Sequence, residues 1–120
     1  MPILGLGIDI VDCERIREIC ERSPAFLKRV FTDVEQRYSM GKPSIYQHLA
    51  ARFAAKEATA KALGGPFSWQ EVEVINSVSG KPALNLFGRA RSAAVGVHLH
   101  LSISHTDQYA CAVVVAETIK

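Results

Sequence analysis

Nowhere does the 120-residue chain hold an uninterrupted apolar run approaching the ~18 residues that span a bilayer. Its first residues also lack the apolar segment that directs secretion. The chain therefore reads as cytoplasmic, with no membrane role. Its three cysteines, Cys13, Cys20 and Cys111, have no CxxC spacing and no histidine at zinc-like distance. That pattern supplies neither a disulfide framework nor a structural zinc site, and the three read as small core residues. There is no GxxxxGK[ST] loop, and no GxGxxG follows the first strand, so the common nucleoside triphosphate and dinucleotide folds are not indicated. A net charge of +2 is too small to demand a nucleic-acid partner. What remains, with 48% hydrophobic and 22% charged residues and no repeat or linker, fits one globular domain over residues 1–120.

Leu4, Leu6, Ile8 and Ile10 alternate with Gly5, Gly7 and Asp9. This period of two predicts a half-buried strand with the leucines toward the core and Asp9 away from it. Asp12 is an N-cap for a short helix carrying Ile16, Ile19 and Cys20, which Ser23-Pro24 interrupts. A helical turn with Phe26, Leu27 and Val30 follows. Thr32 and Glu35 have capping-box spacing for a third short helix, broken at Gly41-Lys42-Pro43. Ser44 to Leu63 contains no Gly or Pro, has a second capping-box pattern in Ser44 and Gln47, and ends at Gly64-Gly65-Pro66. The longest helix lies there, and its many alanines present a thin surface for close packing on a sheet or a neighbouring chain. Val72–Ile75 and Leu84–Leu86 predict a hairpin around Gly80-Lys81-Pro82, residues 88–96 a helix, and the alternations from 98 to 104 and 109 to 115 a closing hairpin, with Ala112–Val115 central in the sheet. The sum is an α+β domain with a mainly antiparallel sheet packed on a long helix.

Glu57 and Lys61 on the long helix stand at i, i+4 in the favourable order, enough for an ordinary helix salt bridge. Arg52 and Lys56, also at i, i+4, would repel each other unless an anion lies between them. Asp9, framed by glycines, is open to a ligand or to a close backbone. If it lies near Glu57, the two carboxylates form the sparse protein shell that Mg²⁺ prefers, water and phosphate oxygens completing the octahedron. The alternative is that Asp9 serves only backbone hydrogen bonds. His105 stands where a strand meets the turn at Thr106-Asp107, placed either for packing or for a ligand. Arg15, Arg17, Arg22, Lys28 and Arg29 crowd one region, either to meet an acidic partner or as a solvated face neutralised by Glu14, Glu18 and Glu21.

Three segments together resemble the 4'-phosphopantetheinyl transferase superfamily: Gly7-Ile8-Asp9-Ile10-Val11-Asp12, Phe53 to Lys61 with its Lys56-Glu57-Ala58 centre, and Ser102-Ile103-Ser104-His105-Thr106. The length, the Gly80-Lys81-Pro82 turn and the Tyr109–Ala112 segment resemble its short single-domain subgroup, the holo-[acyl-carrier-protein] synthases. The resemblance implies Mg²⁺ on Asp9 and Glu57, and Lys61 at the pyrophosphate or assisting proton transfer. It implies coenzyme A phosphates near Arg52, Lys56, His105 and Thr106, and a loop near the nucleotide at Gly80, Lys81 and Pro82. It further implies an acyl carrier protein docked on Arg15, Ile19, Phe26 and Arg29, and a homotrimer. Gly64-Gly65-Pro66-Phe67 departs from the loop such proteins carry after this helix. The reaction so implied is transfer of phosphopantetheine from coenzyme A to a carrier serine in fatty acid biosynthesis. A non-catalytic coenzyme A or carrier-binding module, and a Mg²⁺-dependent pyrophosphate hydrolase, are the alternatives.

Overall fold

A computed structural model describes residues 2–119. The chain begins with β1 (Ile3–Asp12), whose last residue caps α1 (Cys13–Arg22): the Asp12 carboxylate accepts the Glu14 N–H at 2.9 Å. Two short helices follow, α2 (Pro24–Val30) and α3 (Asp33–Met40). The latter opens with the expected box, Thr32 accepting from Glu35 N–H while Glu35 accepts from Thr32 N–H. The long helix α4 (Ile45–Leu63) stops at Gly64, whose φ of 79° is the left-handed conformation that glycine enters without a Cβ penalty. The second capping box does not form. Ser44, at φ −104° and ψ 63°, lies outside the extended region that aims an N-cap oxygen at the first turn, and its side chain makes no capping bond.

Beyond a 3₁₀ turn (Trp69–Glu71) the chain forms the hairpin β2 (Val72–Asn76) and β3 (Pro82–Leu86), then α5 (Gly88–Ala93) and the closing hairpin β4 (Val97–His105) and β5 (Tyr109–Thr118). The architecture is α+β and every strand pairing is antiparallel, but the strands divide into two sheets, β1-β5-β4 and β2-β3. Strand β5 is central to the larger sheet, as the run Ala112–Val115 predicts.

The packing of β1 inverts the sequence expectation. Leu4, Leu6, Ile8 and Ile10 are 57–66% exposed, while Gly5, Gly7, Asp9 and Val11 face α4. Alternation fixes the period of a strand but not which face is covered. Here the helix decides: Ala50, Ala51, Ala54, Ala55, Ala58 and Ala62 let α4 come so near that a Cβ on Gly7 would lie 1.9 Å from the Ala58 carbonyl oxygen, and one on Gly5 the same distance from that of Ala62. The thin helix surface thus meets its own strand, and the apolar face of the sheet is left without a partner among the described residues. The buried cluster lies between α4 and the sheet, with Ile16, Val30 and Phe31 closing one end. Among the described residues no helix is long and apolar enough to cross a membrane.

Candidate active site

Asp9 and Glu57 come together because β1 and α4 touch through glycine and alanine. Both are partly buried and both carboxyls are held above their ordinary pKa. Burial is the main cause in each. For Glu57 the charge of Asp9 adds to it, and Lys61 partly offsets the rise at both groups. The Lys61 ammonium donates to the Ile8 carbonyl at 2.9 Å and stands 3.6 Å from Asp9 Oδ1, with its side chain half exposed. Two acids and a lysine therefore share one rigid, accessible edge. No group of three or more His, Cys, Asp and Glu among the described residues could hold a metal by protein ligands alone. A pair of hard carboxylate donors, the charge of one raising the pKa of the other, suits a divalent cation completing its shell with water and phosphate oxygens, the habit of Mg²⁺.

Arg52 and Lys56 do not flank an open anion site. Each is 3% exposed and each is occupied within the chain. Arg52 donates to Asn76 Oδ1 at 2.7 Å and lies 4.2 Å over the Tyr38 ring, with one Nε–H unpartnered. Lys56 is paired with Glu35 at 2.9 Å, both side chains essentially buried. The spacing expectation fails because the helix face they share is covered by α3 and β2, whose acceptors replace the supposed anion. Glu35 is correspondingly more than a cap, since its second oxygen accepts the Val74 N–H at 2.7 Å.

His105 is exposed at the end of β4, its ring centroid 6.0 Å from that of His48. His48 in turn meets Tyr38 edge-on at 5.5 Å, and its pKa is lowered by burial and then by Arg52 and neighbouring cations. Lys42 lies 4.7 Å over the other partner of this cluster, Tyr38. Asn76 connects the cluster to the expected loop by donating to the Gly80 carbonyl at 3.0 Å. Gly80 has a φ of 88°, Lys81 is exposed, and Pro82 begins β3. The Thr106 hydroxyl accepts from Gln108 and Tyr109 N–H groups and so serves the β4–β5 turn. Sequence reasoning missed Tyr38, His48 and Asn76. Only His48, four residues before Arg52, carried a readable spacing; the other two lie on α3 and β2 and reach Arg52 through tertiary packing.

Residues 5–114 match the profile of the 4'-phosphopantetheinyl transferase superfamily. A holo-[acyl-carrier-protein] synthase of Koribacter versatilis is 43% identical over 123 residues, spanning 96% of this chain and 98% of that protein. The chain belongs to the holo-[acyl-carrier-protein] synthases.

Solved structures of such synthases share the fold. The Bacillus anthracis protein in complex with CoA (3',5'-ADP) superposes with a TM-score of 0.81 at 37% identity, covering 97% of both chains. A Chronobacterium ammoniagenes CoA complex gives 0.86 at 30% identity over the full length of both. As a holo-[acyl-carrier-protein] synthase the chain is a 4'-phosphopantetheinyl transferase. On α1, Arg15 is exposed and Ile19 half-buried; on α2, Arg29 is exposed and Phe26 packs on Phe31 and Phe53. Among the described residues Arg15, Arg22, Lys28 and Arg29 form no ion pair, whereas Arg17 pairs with Glu14 and Glu21. The acidic residues of α1 therefore neutralise only part of the basic cluster.

Proposed function

We propose that the chain transfers the 4'-phosphopantetheine group of coenzyme A to a serine hydroxyl of an apo acyl carrier protein, releasing 3',5'-ADP. The convergence of Asp9, Glu57 and Lys61 on one accessible edge carries this reading, and the relatives' coenzyme A complexes support it. Asp9 and Glu57 would hold Mg²⁺, which supplies charge neutralisation at the pyrophosphate. Lys61 adds a positive charge beside it, and the exposed Lys81 and His105 line the approach for the remaining phosphates, whereas Arg52 is spent on Asn76 and Tyr38. The serine oxygen bonds to the phosphorus that bears pantetheine, the P–O bond to the 3',5'-ADP phosphate breaks, and Glu57 is the acceptor on this chain for the serine proton. Lys56 has no direct place in this scheme, being spent on Glu35, and Thr106 acts through its turn. The setting is fatty acid biosynthesis in the cytoplasm.

The carrier docks on α1 and α2, where Arg15 and Arg29 meet acidic groups and Ile19 and Phe26 anchor them. Mass spectrometry of an apo acyl carrier protein incubated with the chain, coenzyme A and Mg²⁺ tests the reading. The expected outcome is a serine-linked phosphopantetheine with stoichiometric 3',5'-ADP. With Arg15→Glu, initial rates should fall about tenfold or more, mainly through weaker encounter, and the deficit should shrink as salt is raised. An unmodified carrier with intact coenzyme A bound would overturn transfer in favour of a binding module.

The active form is a homotrimer. Leu4, Leu6, Ile8 and Ile10 share the uncovered sheet face with Val113 and Val115, and a contiguous apolar surface of this kind on a small soluble chain is ordinarily covered by another subunit. Sedimentation of the wild type should give three times the chain mass, and Leu6→Asp with Ile8→Asp should give monomer. A wild type that sediments as a monomer would overturn the assembly.

A further inference from the structure

The buried ion pair of Lys56 and Glu35 has a geometry that helix capping does not require. All three ammonium donors of Lys56 are used: one on Glu35 Oε1 at 2.9 Å, one on the Trp69 carbonyl at 2.9 Å and one on the Val72 carbonyl. Glu35 meanwhile receives the Thr32 N–H at 2.9 Å and the Val74 N–H at 2.7 Å. A single pair thus ties the start of α3, the 3₁₀ turn and the first residues of β2 to one point on α4. That point is the residue before Glu57. Successive residues of an α-helix project about 100° apart. Lys56 held inward therefore fixes which way Glu57 is turned about the helix axis, toward β1 and Asp9.

The same strap holds the wall beside the carboxylate. A cavity of about 200 Å³ opens next to Glu57, bounded by Pro66, Phe67, Trp69 and Val72, and two of these lend Lys56 their carbonyls. Phe53 stacks on Trp69 at 5.0 Å and closes the other side of that ring. A buried pair is a poor stabiliser compared with apolar residues of equal volume, since both charges lose their hydration. Its retention here points to orientation as its contribution.

We propose that Lys56 and Glu35 are positioning residues whose pair sets the rotation of α4, and thereby aims the Glu57 carboxylate at the divalent-ion site it shares with Asp9, without touching substrate. This rests on the transferase reading above. The test separates orientation from stability by removing both charges together, in Glu35→Gln/Lys56→Met. Mn²⁺ alone, followed by its electron paramagnetic resonance signal, reports the ion site without turnover, and thermal melting reports the fold. The double variant should melt within a few degrees of wild type yet bind Mn²⁺ at least tenfold more weakly. In the transfer assay its half-saturating Mg²⁺ should rise by a similar factor, while KM for coenzyme A at saturating Mg²⁺ stays within about twofold, because the loss lies in aiming one ligand and not in substrate contacts. A folded double variant with wild-type Mn²⁺ affinity would overturn the proposal and leave the pair a structural one. If the double variant melts far below wild type, Glu35→Gln/Lys56→Gln, which leaves no lone buried charge and keeps a hydrogen-bonding group at both positions, enters the same assay with the same expected loss. Wild-type protein that neither binds Mn²⁺ nor transfers would instead overturn the metal-site reading together with the proposal, and the absence of any wild-type signal distinguishes that case.

Discussion

Glu57→Gln should lower phosphopantetheine transfer about 10³-fold or more while leaving the fold intact. The size follows from loss of several kcal/mol of charge stabilisation at the pyrophosphate when one of two anionic ligands is removed. The stability effect has the opposite sign. Both Asp9 and Glu57 have folded pKa values raised above their ordinary ones. A carboxylate whose folded pKa is raised binds its proton more tightly in the native than in the unfolded chain, so the unfolded state binds fewer protons in the window between the two values and stability falls as pH rises through it. At neutral pH, without divalent ions, the wild type carries that cost in full. Glu57→Gln removes the Glu57 contribution, including the part due to the Asp9 charge. Its melting temperature in chelator should therefore equal or exceed that of wild type near pH 7, with the difference vanishing below about pH 4, where model carboxylates are protonated. Mg²⁺ should raise the wild-type melt and not that of the variant. A variant with transfer within tenfold of wild type would remove Glu57 from the mechanism.

The features legible in the sequence were those decided within a few residues. Asp12 and the Thr32–Glu35 box cap helices because donor and acceptor are local to one turn. The ends of α4, the β2–β3 turn and the centrality of β5 follow from glycine, proline and alternation. Asp9 and Glu57 stood out because an acid among glycines and an acid among alanines have little apolar reason to be there. Features decided by a second element were not legible. Alternation in β1 could not say that glycine, not leucine, faces α4, since that depends on how near the helix comes. The Arg52 and Lys56 spacing looked like an anion clamp because Glu35, Asn76 and the Trp69 and Val72 carbonyls, which satisfy those charges, arrive from α3, β2 and the 3₁₀ turn. The Glu35 capping role, correctly read, concealed the use of its other oxygen by Val74.

Replacing Gly7 with alanine is expected to damage both stability and the site, because one methyl group would be inserted where the backbones of β1 and α4 meet. The added Cβ would fall 1.9 Å from the Ala58 carbonyl oxygen and 2.8 Å from its carbon. These are backbone atoms of a helix, which no rotamer change can move, so strand and helix must separate. Overpacking of this kind costs about 1–3 kcal/mol and more when the backbone must yield. For a domain of this size that corresponds to a melting point lower by about 10 °C or more. Separation would also widen the gap between Asp9, two residues along the same strand face, and Glu57, one residue before Ala58. Transfer should therefore need more Mg²⁺ even at temperatures where Gly7→Ala remains folded. Gly41→Ala is the control: Gly41 lies at φ −80°, its nearest would-be contact is 3.6 Å away, and alanine there should be neutral or slightly stabilising through the unfolded chain. Equal melting points for the two variants would mean that β1 and α4 are not in the close contact on which the joining of the two carboxylates depends.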